Sequence, residues 1–203
     1  MALAVEDILN QALRRISYSV PIGSIYEGSR ASRAAVEFYG QTRDDLLQSR
    51  DWMFARQEAA LVLLKTAPVG GYGGTVWTAA YPLLPWIYEY AYPSNCLEVR
   101  SVRPTPILMP EYDPQPHIFT VANDPTVPAS SKVVLTNLPA AIATYTARIT
   151  NPADWSPEPM FIESLIAALG LRFQEALNPQ QDAVKDRASE EQASAAMADE
   201  HRG

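Results

Sequence analysis

The sequence predicts an α+β protein: a helical bundle built from both chain ends, with an antiparallel β module (sandwich or barrel) inserted between them. Three observations lead there. Apolar residues recur at helical spacing near both ends of the chain. Trp86-Ile87-Tyr88-Glu89-Tyr90-Ala91-Tyr92 alternates with a period of two, which sets Trp86, Tyr88, Tyr90 and Tyr92 on one face of a strand and Ile87, Glu89 and Ala91 on the other. Gly and Pro punctuation cuts the middle of the chain into short segments. An apolar helical face needs a partner, and the two faces flank the β stretch, so the β stretch reads as an insertion. The expected organisation is residues 1–58 and 154–203 as the two parts of the bundle and 59–153 as the β module, with a tail from about 180 that orders on a partner.

Each element follows from local chemistry. Over residues 3–16, Val5, Ile8, Leu9, Ala12, Leu13 and Ile16 form a helical stripe. Glu6 and Asp7 start that helix and Arg14 and Arg15 end it, as the macrodipole prefers. Pro21-Ile22-Gly23 is a connector. A second helix starts near Ser29 or Ser32, either a suitable cap, carries Ala35, Phe38, Thr42 and Leu46 on one face, and runs to about Arg50. The apolar run 59–64 finishes a helix or starts a strand. Pro68, Gly70, Gly71, Gly73 and Gly74 mark a loop, and strand candidates follow at 75–79, 84–92, 96–103, 117–122, 132–137 and 141–149. The segment 104–116 holds five prolines and the apolar tip Ile107-Leu108-Met109, with Tyr112 beside it: a long loop and a candidate contact site. Ser156 as N-cap and Pro157 at the first helical position open a third helix. That helix is apolar nearly all round, with Phe161, Leu165, Leu169 and Phe173, so it is expected to lie buried between neighbours until Asn178-Pro179 ends it. The tail 180–203 has helix-forming composition, but Val184 and Met197 are its only large aliphatic residues.

Composition narrows the function. No run of about 18 apolar residues is present, and the first residues lack a basic segment followed by an apolar one, so a soluble protein made in a cytoplasm is expected. Cys96 is the single cysteine, which excludes an intrachain disulfide and a cysteine zinc cluster. The net charge of −7 does not suit tight non-specific DNA binding and is compatible with a surface that DNA passes without sticking. Thirteen Arg stand against three Lys, a bias that suits interfaces and also follows from a GC-rich genome.

Catalytic and metal chemistry find little support in the residues. Cys96 and His117 are a conceivable nucleophile and base, but neither has a recognisable context. His117 and His201 are far apart, and the adjacent pairs Asp44-Asp45 and Glu190-Glu191 diverge on a helix, so no metal site is expected. Gly70-Gly71-Tyr72-Gly73-Gly74 lacks the Gly-Lys-Ser/Thr ending of a phosphate loop, and no cofactor is expected. The aromatic group Trp77, Tyr81, Trp86, Tyr88, Tyr90 and Tyr92 has two readings: rings filling a core or interface, or a stacking surface for sugars.

Three segments carry a family resemblance. Leu46-Leu47-Gln48-Ser49-Arg50-Asp51-Trp52-Met53-Phe54-Ala55 resembles the helix exit of head-to-tail adaptor proteins of short-tailed phages, the group called tail tubular protein A or head-completion adaptors. The run from Tyr88 through Tyr92-Pro93-Ser94-Asn95-Cys96-Leu97 to Val99 is similar to their strand pair, and Tyr145 through Asn151-Pro152-Ala153-Asp154-Trp155 to Gly170 is similar to their return into helix. An Asn stands at 151 where the family has Asp. The segments occur in the family's order and span about residues 3–178.

The resemblance implies a non-enzymatic structural virion protein: a ring of twelve copies below the portal vertex that extends the DNA channel and carries the tail nozzle. Its expected partners are further copies of itself, the portal protein, the tail nozzle protein, and genomic DNA that passes without sequence-specific binding; its expected place is the tail or neck of the virion. Val184 and Met197 are then candidates for portal docking, and Ile107, Leu108, Met109 and Tyr112 for nozzle docking. The alternative is a small carbohydrate-binding module with an aromatic β surface.

Overall fold

The structure, a computed structural model, describes residues 4–73, 76–105, 117–127, 132–155 and 158–177. It is mixed α+β, with helices α1 (Val5–Arg15), α2 (Arg30–Ser49) and α3 (Pro159–Leu177) and strands β1 (Arg56–Ala60), β2 (Leu63–Thr66), β3 (Tyr88–Ala91), β4 (Cys96–Pro104), β5 (Phe119–Asn123), β6 (Lys132–Thr136) and β7 (Ala141–Ala147). The contacts divide it into two compact units, residues 1–46 with 151–203, and residues 47–150.

In the first unit, α1 buries Ile8, Leu9, Ala12 and Leu13, the stripe its spacing predicts. Asp7 accepts a hydrogen bond from the Ala4 amide at the N-terminus (3.1 Å). Ser17 takes a left-handed conformation (φ 60°), and the Tyr18 amide returns to the Leu13 carbonyl, which closes the helix. The Asn10 side-chain amide pairs with both backbone groups of Ile22, at 2.9 and 2.7 Å, and so fixes the Pro21-Ile22-Gly23 connector to α1. Ser29 caps α2 by accepting from the Ser32 amide (3.1 Å). The buried face of α2 in this unit overlaps the expected one in part: Ala31, Ala35, Tyr39 and Thr42 are buried, while Phe38 and Leu46 are half-buried. Of the expected stripe, Ala35 and Thr42 are buried and Phe38 and Leu46 are not fully so; Tyr39, one position beyond Phe38, is buried in its place.

α3 packs on α1, and at Gly170 an added Cβ would meet the Ala12 carbonyl at 3.6 Å. Its inner face is Phe161, Leu165, Ile166, Leu169, Phe173 and Leu177. The expectation of burial all round is corrected: Met160 and Leu171 are each 66% exposed. The helix begins at Pro159, and the expected cap Ser156 and Pro157 lie outside the described residues.

In the second unit, two antiparallel sheets form, ordered β1-β7-β4 and β2-β3-β6-β5. One apolar core draws on both, with Val99, Val102, Ala143 and Tyr145 from the first and Tyr90 and Val134 from the second. The Pro93-Ser94-Asn95 break is where the chain leaves one sheet for the other: the Cys96 amide turns back to the Pro93 carbonyl (3.0 Å), and the Asn95 carbonyl accepts from the Arg148 amide (2.7 Å). β3 is shorter than the expected strand 84–92, because the Trp86 amide closes a turn on Leu83 instead of joining a ladder. Val76, Trp77 and Thr78, expected in a strand, form none. β1 was not legible as a strand: Arg56-Gln57-Glu58 is polar and mostly exposed, and only its pairing with β7 defines it.

Candidate functional site

The residues singled out for docking, Val184 and Met197 in the tail and Ile107, Leu108, Met109 and Tyr112 in the loop, lie outside the described residues. The described residues hold the aromatic group, the cysteine and histidine, and a buried charge cluster.

The aromatic strand packs inward. Tyr90 is buried, and Tyr88 and Tyr92 pack against the same core. Two of these hydroxyls are taken up by the chain itself: Tyr90 donates to the Leu138 carbonyl (2.7 Å) and Tyr92 to the Leu97 carbonyl (3.1 Å). In the preceding loop, Trp77 Nε1 and the Tyr72 hydroxyl both donate to the Pro82 carbonyl (2.8 and 3.1 Å), and Tyr72 meets Tyr81 edge to face. A sugar-binding aromatic needs its ring face and its hydrogen-bonding neighbours open to the ligand; the polar groups of Tyr72, Trp77, Tyr90 and Tyr92 are spent within the fold, while Trp77 keeps 41% exposure.

Cys96 opens β4, whereas the His117 amide donates to the Val102 carbonyl near the other end of that strand (3.0 Å). Residues that far apart along a strand are separated by about 20 Å, so they are not a nucleophile and its base. Burial pushes the Cys96 thiol above its ordinary pKa, the opposite of activation. Asp44 is bound by the Arg43 guanidinium (2.7 Å). Among the described residues, no group of three His, Cys, Asp or Glu side chains is placed to hold a metal ion.

The cluster that the sequence did not reveal is Lys65–Glu89–Asp124. Register sets Lys65 on β2 directly opposite Glu89 on β3, and Asp124 follows the last residue of β5. Glu89 is fully buried and Asp124 is 3% exposed. The Lys65 ammonium donates to the Asp124 carboxylate and to Thr126 Oγ1. Asp124 also accepts from the Thr126 amide (2.8 Å) and hydroxyl (2.7 Å). Burial works against the Asp124 charge, but these donors outweigh it and hold the carboxyl well below the usual range. Neither oxygen of Glu89 accepts a hydrogen bond among the described residues, and its contact with Lys65 is looser, at 3.4 Å. Burial, then the adjacent Asp124, raise the Glu89 pKa above the ordinary value. Burial opposes the Lys65 charge, but Asp124 and Glu89 raise its pKa overall. Of the two carboxyls, Glu89 is therefore the one disposed to hold a proton. The available signal was a lone acid between two tyrosines and a lone lysine in an apolar run, since a buried charge needs a partner.

Arg100 on β4 makes a second polar anchor. Its guanidinium donates to the carbonyls of Gln48 (2.6 Å) and Arg50 (3.0 Å), and its Nε to Thr146 Oγ1 (2.9 Å). Residues 47–55 of the segment singled out in the sequence thus belong to the same compact unit as Arg100, which holds them at Gln48 and Arg50.

The chain matches no protein-family model and no curated protein.

Proposed function

We propose that this chain is a structural virion protein, the head-to-tail connector of a short-tailed phage, and not an enzyme. Its finer architecture is read as a helical bundle from both chain ends with an inserted antiparallel β module, sandwich or barrel. Copies form a ring of twelve between the portal and the tail nozzle in the neck of the virion, and the ring extends the DNA channel. The observation that carries this reading is the order of three segments, 46–55, 88–99 and 145–170, each matching the adaptor pattern. The contacts support it: residues from both ends of the chain form one unit, and the span 47–150 between them forms another. Four aromatic residues support it too: the polar groups of Tyr72, Trp77, Tyr90 and Tyr92 bond to backbone carbonyls of the fold, which weakens the sugar-binding alternative.

In this role the apolar tip Ile107-Leu108-Met109 with Tyr112 meets the nozzle, and the tail bearing Val184 and Met197 meets the portal. The acidic balance keeps DNA from adhering as it passes. Deleting 180–203 tests the portal contact: the truncated chain is expected to keep its thermal transition and lose portal binding, and unchanged affinity would refute the assignment.

A further inference from the structure

We propose that the four-stranded sheet is the seam between copies of this chain, with β5 of one copy pairing edge to edge with β2 of the next. This deepens the ring reading above and rests on it.

The two sheets treat their edges differently. An exposed strand edge invites pairing with another chain unless charge, proline or a cover protects it. The three-stranded sheet is protected: its edge strand β1 carries Arg56 and Glu58, its other edge β4 carries Glu98, Arg100 and Arg103, and Glu58 bonds Arg103 across the sheet (2.6 Å). The four-stranded sheet is less protected: the start of β5 lies beside β4, where the His117 amide donates to the Val102 carbonyl (3.0 Å), but the rest of its outer strands carries little charge. β5 reads Phe119-Thr120-Val121-Ala122-Asn123, with neither charge nor proline. β2 reads Leu63-Leu64-Lys65-Thr66, and its one charge turns inward to Asp124 and Glu89. Neither strand has a second strand partner among the described residues.

The register then shows what fits. Leu63 pairs with Tyr90, Tyr90 with Val134, and Val134 with Val121, so these four residues form one row across the same face. The middle of the row is buried, with Tyr90 at 1% and Val134 at 0% exposure, while its ends stand open, Leu63 at 51% and Val121 at 42%. A neighbouring copy placed β5 to β2 brings Val121 beside Leu63 and continues the row. Strand direction permits it: in an antiparallel sheet of four strands the two outer strands run oppositely. A head-to-tail neighbour related by rotation therefore pairs antiparallel without being turned over. The contact uses two different edges, so it is heterologous, the type that makes a ring where its rotation closes and a filament where it does not.

The test is a cysteine trap in the full chain with Cys96→Ser as background. Facing residues of adjacent antiparallel strands lie about 4.5–5.5 Å apart, within disulfide reach. Under mild oxidation, Leu63→Cys with Val121→Cys is expected to give a ladder of covalent multimers, and Leu63→Cys with Asn123→Cys reads a two-residue shift in register. Each single variant, and Leu63→Cys with Val36→Cys on α2, should stay monomeric. Single variants that dimerise as fast as the pair would assign a two-fold contact instead, and no ladder from either pair would overturn the proposal. Rings that stack on a portal while both pairs stay reduced remove this seam and leave the connector reading standing; a ladder without portal stacking does the reverse.

Discussion

Lys65 gives its hydrogen bond to Asp124 and holds Glu89 only at 3.4 Å, although Glu89 is its direct neighbour across the strands and is completely buried. One cation thus serves two carboxyls unequally. It ties the edge strand β2 both to β3 and to the turn that leaves β5.

Removing that cation leaves two acids facing each other in a buried site. Lys65→Met is expected to cost about 3–5 kcal/mol, the range for breaking a buried ion pair from one side. Urea denaturation reads it directly. A loss below about 1 kcal/mol would mean that the cluster behaves as a surface pair.

The two carboxyls give opposite pH dependences. Asp124 has a lowered pKa when folded, so its contribution is present above its unfolded value of 3.8 and is lost as pH falls toward the folded value. Glu89 has a raised pKa, so its contribution is complete below 4.5 and is lost as pH rises through the folded value. Glu89→Gln removes the second slope. The variant should gain on the wild type by a few degrees in melting temperature as pH rises from 4 to 9, with the smallest difference at the acidic end. A difference that shrinks over that range would contradict the assignment of the proton to Glu89.

Arg100 supplies donors to the Gln48 and Arg50 carbonyls and to Thr146 together, and a lysine cannot reproduce that fork. Arg100→Lys should therefore cost about 1–3 kcal/mol, close to the cost of Arg100→Ala. Retention of full stability by the lysine variant would show that charge alone suffices.

Gly170 has room for a methyl group, since an added Cβ would sit in ordinary contact, 3.6 Å from the Ala12 carbonyl and 3.8 Å from Arg15 Cβ. Gly170→Ala is expected to be neutral or to stabilise by up to about 1 kcal/mol through helix propensity. Gly170→Leu should destabilise by about 1–3 kcal/mol through overpacking against α1. Thermal melts of the two variants should move in opposite directions or, for alanine, not at all.

Where the sequence was readable, one physical signal dominated. The α1 stripe, the Ser29 cap and the strands 96–104, 132–136 and 141–147 follow from periodicity and punctuation. β1 did not, because Arg56-Gln57-Glu58 carries no apolar alternation and is a strand only through its partner. The α2 face was legible in part, since Ala35 and Thr42 are buried as their spacing predicts, while neighbouring Phe38 and Tyr39 are both apolar enough that spacing does not decide between them. The Lys65–Glu89–Asp124 cluster joins residues from three separated segments, and such convergence leaves no local spacing to read. The aromatic strand was legible as a strand; the engagement of its hydroxyls was not, since their acceptors are backbone carbonyls at Leu138 and Leu97.

The connector reading is tested most directly by electron microscopy of the full chain mixed with a short-tailed phage portal. A ring of twelve copies stacked coaxially on the portal, with an open central channel, is the predicted result. A portal that stays bare at saturating concentrations of this chain would contradict it.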